Sequence, residues 1–243
     1  MAKRKIRLAF VDVDGVLNST RTVTAYGQYP FPCTSYDPEG VKKEQIFEDP
    51  PIRSPESIDR VAVDLLNKAI YDQDAYIVWS TSWRIGLGLR GCKELARHLG
   101  LGEGRMLGRT FDLSGPDSCR GTEIRHFIWC LTNSAEGCTP DHLIRQGYLD
   151  EKLARQLSPD LDFEIEFYVI VDDCRDMLYE QRPHFVNTNP DNGFMYKDYV
   201  ETCNILSGLP RENGRFLMDE WRQEYDEEKG GQENDGHPKV YPR

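Results

Sequence analysis

The sequence predicts an α/β fold: a parallel sheet with helices on both faces and a small loop-rich insertion after the first strand. Two observations carry this expectation. Apolar runs of strand length alternate with segments of helical period, the order that builds a parallel sheet covered on both faces. Three of those runs also stop abruptly at small polar or acidic residues: Asp12 and Asp14 after the first, Ser80-Thr81-Ser82 after the second, and Asp172-Asp173 after a later one.

The first strand is Ile6 to Val11, a short apolar run stopped by Asp12. From about 19 to 55 the pattern changes, with prolines 30, 32, 38, 50 and 51 lying among Tyr26, Tyr29, Phe31 and Tyr36. This is the insertion, and its aromatics read either as a small core of their own or as a substrate wall. A helix is expected over about 56–71, with Ile58, Val61, Leu65, Leu66 and Ala69 on one face and Ser54-Pro55-Glu56 as its capping signal. Ala75 to Trp79 is the second strand. A second helix covers Cys92 to Leu99, and Met106-Leu107-Gly108 forms a short strand. A third helix begins near Gly121, placing Ile124, Phe127, Ile128 and Leu131 on one face. The polar region 134–162 holds one weak helix, from about Leu143 to Leu157. Glu164 to Val171 is a strong strand, Phe185 to Asn187 a last one, and Lys197 to Leu206 a closing helix. Residues 1–209 thus read as one catalytic domain, and 210–243 as a polar, acidic and partly disordered tail.

Composition narrows the function classes. The 243 residues carry 30 Lys+Arg against 41 Asp+Glu, a net charge of −11, without the basic footprint that extended duplex binding requires. A local basic pocket for one phosphate remains compatible with that charge. No apolar run reaches the roughly 18 residues that span a bilayer. The basic start is followed by an apolar stretch broken at Asp12 and Asp14, unlike a signal peptide. No membrane association is expected, and nothing in the sequence specifies an oligomeric state. The seven cysteines are odd in number, spread out and free of any C-x-x-C pair, so neither a zinc site nor a disulfide framework is expected. Reduced thiols in a cytoplasm are the plain reading.

The strand ends carry the chemistry. Ligands of an open parallel sheet bind outside the carboxyl ends of its strands. If the three strands are neighbours, Asp12, Asp14, Asp172 and Asp173 converge there. Like charges about 4 Å apart repel by roughly 4 kcal/mol at an effective dielectric of 20, so such a cluster calls for a hard divalent cation. Oxygen-only ligands point to magnesium, which favours phosphate substrates.

These residues carry a resemblance. Val11-Asp12-Val13-Asp14-Gly15-Val16-Leu17-Asn18 resembles the first motif of the haloacid dehalogenase (HAD) superfamily, Ser80 after its strand the second, and Asp172-Asp173 the fourth. More narrowly, Trp79-Ser80-Thr81-Ser82-Trp83-Arg84, Gly108-Arg109-Thr110, Arg120-Gly121-Thr122-Glu123-Ile124 and Val169 to Asp173 are similar to the HAD branch of predicted RNA-repair ("Swiss Army Knife") proteins. The likeness covers most of residues 6–206.

The resemblance implies a HAD-like, Rossmann-like fold and a phosphatase with Mg2+ as cofactor. Asp12 is then the nucleophile that forms an aspartyl-phosphate, and Asp14 the general acid/base. Gly15 allows the sharp turn that brings backbone amides to the phosphoryl group. Ser80 donates a hydrogen bond to that group, and Thr81 joins the substrate-binding set. Asp12, the Asp14 carbonyl, Asp172 and Asp173 hold the metal, and Asp176 braces the last pair. The third motif is a basic residue: Arg120, at the positive end of the third helix, with Arg84 as a rival that instead grips the rest of the substrate.

Other residues read more plainly. Trp83 is a core or rim aromatic, His98 and His126 are structural or solvated, and Cys174 is a buried inert thiol. The expected substrate is a small phosphorylated molecule, a nucleotide ahead of a 3′- or 5′-phosphorylated RNA or DNA end. A silent HAD-like binding or regulatory module and a phosphotransferase are the competing classes. The first conflicts with the presence of both Asp12 and Asp14.

Overall fold

A computed structural model of the chain describes residues 3–22, 58–113, 119–133 and 138–209. The bulk of the expected insertion, including Tyr26, Tyr29, Phe31, Tyr36 and the Ser54-Pro55-Glu56 signal, and the whole tail from 210 lie outside the described residues.

Five strands form one parallel sheet: β1 (Arg4–Val11), β2 (Ala75–Trp79), β3 (Met106–Arg109), β4 (Phe163–Asp172) and β5 (Phe185–Asn187). Their spatial order is β3-β2-β1-β4-β5, so the chain steps outward from β1 on one side and then returns to build the other. This leaves β1 central, paired along Arg7–Val11 with Ala75–Trp79 and along Arg7–Val11 with Phe167–Val171. Leu8, Ala9, Phe10 and Val11 are all fully buried, because both faces of β1 are covered.

The helices are α1 (Arg60–Asp72), α2 (Gly88–Leu99), α3 (Arg120–Thr132), α4 (Pro140–Arg145), α5 (Glu151–Leu157) and α6 (Tyr196–Leu206). On one face, Ala9, Val11, Ile77, Val169 and Val171 meet Leu66 and Ile70 of α1, Cys92 and Leu95 of α2, and Leu206 of α6. The Trp79 indole donates to the Cys92 carbonyl at 3.1 Å and ties α2 to the sheet. On the other face, Phe10 meets Phe127 of α3 edge-on, with ring centroids 5.9 Å apart. Among the described residues, no helix is long and apolar enough to cross a membrane.

The elements follow the sequence pattern with three corrections. First, α1 starts at Arg60, capped by Asp59, whose side chain accepts from the Val61 and Ala62 amides. The Asp59 amide in turn donates to the Leu17 carbonyl at 2.7 Å, a long-range contact that sets where the helix begins. The buried stripe is Ala62, Val63, Leu66, Ala69 and Ile70, so Val61 turns outward and is 64% exposed.

Second, the expected single helix over 143–157 is two short ones. Between them Gly147 adopts a positive φ of 70° and Leu149 bridges to Gly108 of β3. The Asp150 amide binds the Leu107 carbonyl while its carboxylate caps α5 through the Leu153 amide at 2.8 Å. Backbone pairing with the sheet edge outcompetes helix continuation here.

Third, the thiols are not all reduced: Cys130, late in α3, is joined to Cys138 by a disulfide. They lie eight positions apart in sequence, with Cα atoms 4.6 Å apart. Cys92, Cys119, Cys174 and Cys203 are free.

The Asp59 cap gives a direct test. Asp59→Ala is expected to lower unfolding stability by about 1 kcal/mol, within the range of roughly 0.5–2 for lost N-caps. Urea denaturation measures it, and an unchanged midpoint would remove Asp59 as the cap.

Candidate active site

Backbone hydrogen bonds carry the sheet register one residue beyond the strands. The Asp12 amide donates to the Val171 carbonyl at 3.0 Å, Ser80 to Val11 at 2.9 Å, and Thr188 to Asp172 at 3.0 Å. Asp12, Ser80 and Asp172 therefore stand at adjoining carboxyl ends, where the strand order reverses about β1.

After Asp12 the chain turns back on itself, with the Val16, Leu17 and Asn18 amides all converging on the Val13 carbonyl. Gly15 sits in this turn at φ 67°, and a Cβ there would collide with the Asp173 carboxylate. Glycine is required twice over, for the left-handed backbone and for the close approach of Asp173. The Thr188 hydroxyl donates to the Gly15 carbonyl at 2.9 Å and holds the turn in place.

Arg120 opens α3 and reaches the acidic cluster from the far side. Its Nη1 lies 3.5 Å from Asp12 Oδ1 and 3.4 Å from Asp172 Oδ2. The helix start is pinned by Asp176, which accepts from the Arg120 amide with its carboxylate and from the Gly121 amide with its carbonyl. Asp176 thus braces the arginine's helix, a correction to the expectation that it braces Asp172 and Asp173. Gly121 packs so closely that a Cβ would lie 2.5 Å from the Leu178 nitrogen, and Gln181 binds its carbonyl at 2.8 Å.

The electrostatics follow from this crowding. Burial, then the Asp12 charge, push the Asp172 carboxyl well above the usual carboxylate range, and Arg120 offsets only part of that. Burial and Asp12 raise Asp173 as well. For Arg120, burial acts to weaken the charge, but Asp12 and Asp172 outweigh it and hold the guanidinium more firmly protonated. Among the described residues, three buried polar atoms at this end of the sheet have no hydrogen-bond partner: Ser80 Oγ, Arg120 Nη1 and Asp172 Oδ2. Arg120 Nη1 stands at ion-pair distance from both carboxylates without a hydrogen bond to either.

Buried polar atoms are rarely left unsatisfied. A phosphoryl group offers acceptors for the Ser80 hydroxyl and Arg120, and a hard cation offers positive charge to Asp172. The residues present therefore fit a magnesium ion and a phosphate together.

Two side chains that lie within the motif strings, neither of them expected in the site, stand against Asp14. The Trp83 indole donates to Asp14 Oδ2 at 2.7 Å, and the Asn18 amide donates to Asp14 Oδ1 at 2.9 Å. Asn18 Oδ1 also accepts from the Gly15 amide at 3.1 Å. Asn18 closes the same turn that carries Asp14, so its place four residues on was the available signal. Trp83 follows Ser80 by three residues, but its contact with Asp14 spans 69 residues of sequence.

Thr81 and Arg84 are placed differently from the expected substrate-binding pair. Thr81 is fully buried, and its hydroxyl accepts from the Trp83 amide as the cap of the turn Ser82–Arg84. Arg84 is 2% exposed. Its guanidinium donates to the Thr81, Thr110 and Phe111 carbonyls and to Glu123 Oε2 at 2.5 Å. The structure does not present it to a ligand, because Glu123 of α3 and the ends of β2 and β3 consume its donors. Cys174 is exposed rather than buried. Partial desolvation, then the Asp173 and Asp172 charges, push its thiol up to about 12, so it is no ready thiolate. A cavity of about 900 Å³ between α2 and α5 shares no residue with the acidic cluster.

The chain matches the family model of the HAD domain in Swiss Army Knife RNA repair proteins over residues 8–199, which takes in the end of β1, all the strand ends above and the first turn of α6. No curated protein and no solved structure matches the chain.

The buried Arg84–Glu123 pair is testable without reference to activity. Glu123 is pushed upward by burial and Arg84 downward by burial, each partly rescued by the other. Glu123→Ala leaves an unpaired buried guanidinium and is expected to cost about 3–5 kcal/mol of unfolding stability. A loss below about 1 kcal/mol in denaturant unfolding, the scale of a surface pair, would contradict the assignment.

Proposed function

The chain belongs to the family of HAD domains found in Swiss Army Knife RNA repair proteins, and from that premise we propose that it is a magnesium-dependent phosphomonoesterase acting on phosphorylated RNA ends. HAD domains are generally phosphohydrolases that use Mg2+. The observation that carries the reading is the set of unsatisfied buried atoms, Ser80 Oγ, Arg120 Nη1 and Asp172 Oδ2, grouped beside Asp12.

In this reading an Asp12 carboxylate oxygen attacks phosphorus. The bond from phosphorus to the ester oxygen breaks, its electron pair goes to that oxygen, and Asp14 supplies the proton. Asp14 then takes a proton from water as the water oxygen attacks the aspartyl-phosphate, releasing inorganic phosphate and restoring Asp12. Ser80 and Arg120 donate to the phosphoryl oxygens, where charge builds in the transition state. Asp12, the Asp14 carbonyl, Asp172 and Asp173 would hold the cation, which when bound supplies charge that neutralises those oxygens. Trp83 and Asn18 fix the direction of the Asp14 carboxylate, so that proton transfer needs no reorientation. Arg84 and Thr81 support the turn that carries Ser80 and Trp83 and do not touch substrate.

The net charge of −11 favours a second reading, a free nucleotide as substrate, since a polyanion gains little from such a surface. Phosphate release from 3′- and 5′-phosphorylated oligoribonucleotides and from nucleoside monophosphates separates the two. Only polymer turnover is expected to fall steeply with salt.

Asp12→Asn should abolish phosphate release, and a chelator should do the same until magnesium is restored. Near-normal turnover in either case would falsify the mechanism. Trp83→Phe keeps the ring and removes the donor. It is expected to lower kcat by roughly ten- to a hundredfold, the scale of one hydrogen bond to a charged group, with KM little changed. An unaltered kcat would remove Trp83 from the positioning of Asp14.

A further inference from the structure

A second cluster of ligating side chains stands at the opposite end of α3 from Arg120. His126 and Cys130 lie four residues apart on that helix and therefore on one face. His126 Nε2 is 3.8 Å from Cys130 Sγ. Cys138 approaches from the segment that leads into α4, and one ligand atom from each of the three falls within 4.8 Å of the others. Both sulfurs belong to buried residues, whereas His126 is half-buried, with its ring edge-on to Phe111 at 4.4 Å. His142, on α4, follows Cys138 by four residues but lies outside that 4.8 Å cluster.

We propose that, in the reduced protein, His126, Cys130 and Cys138 form a structural zinc site, completed by His142 turning in from α4 as the fourth ligand, that ties α3 to α4. Two features separate this from a disulfide alone. A disulfide has no use for an imidazole, yet His126 directs Nε2 at the sulfur pair. The ligands also fall as His126-x3-Cys130-x7-Cys138-x3-His142, two pairs at four-residue spacing, which suits tetrahedral N/S coordination. Thiolate and imidazole ligands select zinc over magnesium, so this site does not compete for the cation proposed at Asp12.

The need for a staple is physical. α4 has six residues and α5 seven, far below the roughly 12–15 at which a helix is even marginal by itself. Zinc holding α4 against α3 would stabilise this part of the domain as the disulfide does in the oxidised state. The two states interconvert through a thiol reductant. A dithiol gives two electrons and two protons, the Cys130–Cys138 bond breaks to two thiols, and the reductant closes to its own disulfide. Zinc then replaces the two thiol protons, which pass to solvent.

The test uses the full chain, reduced with dithiothreitol, freed of it under anaerobic conditions, and loaded with zinc or with cobalt(II). One zinc per chain should be retained, and the cobalt form should show a near-ultraviolet thiolate-to-metal band with the intense visible bands of tetrahedral coordination. Cys130→Ser, Cys138→Ser and His126→Ala should each weaken zinc binding by more than about a hundredfold, beyond the 10–100-fold typical of outer-shell partners. His142→Ala should weaken it at least tenfold. Cys174→Ser, beside the acidic cluster, should leave the band intact.

A variant-free measurement guards against misfolded variants: zinc should protect Cys130 and Cys138 of the reduced chain from alkylation, read by mass spectrometry. The proposal fails if the reduced protein binds no more zinc than the double Cys130→Ser, Cys138→Ser variant. It fails equally if the cobalt band disappears with Cys174→Ser, or if alkylation of both cysteines is unaffected by zinc.

Discussion

The architecture turns on one electrostatic conflict, the placement of Asp12 beside Asp172 at the end of a buried sheet. Both carboxylates are nearly or fully out of contact with solvent. Their mutual repulsion is of order 4 kcal/mol at about 4 Å and an effective dielectric of 20, before any cost of burial. Neither residue can move away, because the ladder that pairs β1 with β4 runs up to Val11 and Val171 and continues through the Asp12 amide. Arg120 is the protein's internal answer, and it is incomplete: Asp172 keeps an unsatisfied oxygen and Arg120 an unsatisfied nitrogen. An incomplete internal answer is what a site for an external anion and cation requires.

Much of the surrounding structure exists to deliver that arginine and the Asp14 carboxylate. Asp176, Gln181 and the absence of a side chain at Gly121 fix where α3 begins. Glu123, one turn along α3, reaches across to Arg84 and so couples the helix to the turn after β2. That same turn carries Ser80 toward the cluster and Trp83 onto Asp14. A single helix terminus thereby sets the relative positions of groups from three strand ends.

The far end of α3 is held by different chemistry. Its 13 residues extend about 20 Å, and among the described residues beyond them only the short helices α4 and α5 precede β4. The Cys130–Cys138 link and the cap of Asp150 on α5, which is also paired with Lys93 of α2, hold this weakly cored region to the sheet. The oxygen-rich cluster thus lies at the start of α3 and the sulfur-rich one in its second half, and oxygen donors and N/S donors prefer different cations.

The sequence by itself determined the strands, because residues such as Leu8 to Val11 and Val169 to Val171 are apolar on both faces, and the abrupt stops at Asp12 and Asp172 mark where the apolar runs end. It also determined the turn at Gly15, a local consequence of strand, turn and glycine, whereas the meeting of Asp12 with Asp172 required β1 and β4 to be neighbours. The tertiary structure decided which partner each polar side chain meets. Arg84 reads the same in sequence whether it faces a phosphate or Glu123, and Glu123 lies 39 residues away. Trp83 reads as a packing aromatic until β2 is set beside β1, which brings its indole to Asp14. Asp59 caps α1 because Leu17 captures its amide, and Cys130 meets Cys138 because α3 and α4 pack together. Secondary structure follows from periodicity over a few residues, but a charge or a donor is satisfied by whatever the strand order brings within about 3 Å, and that order is a property of the whole chain.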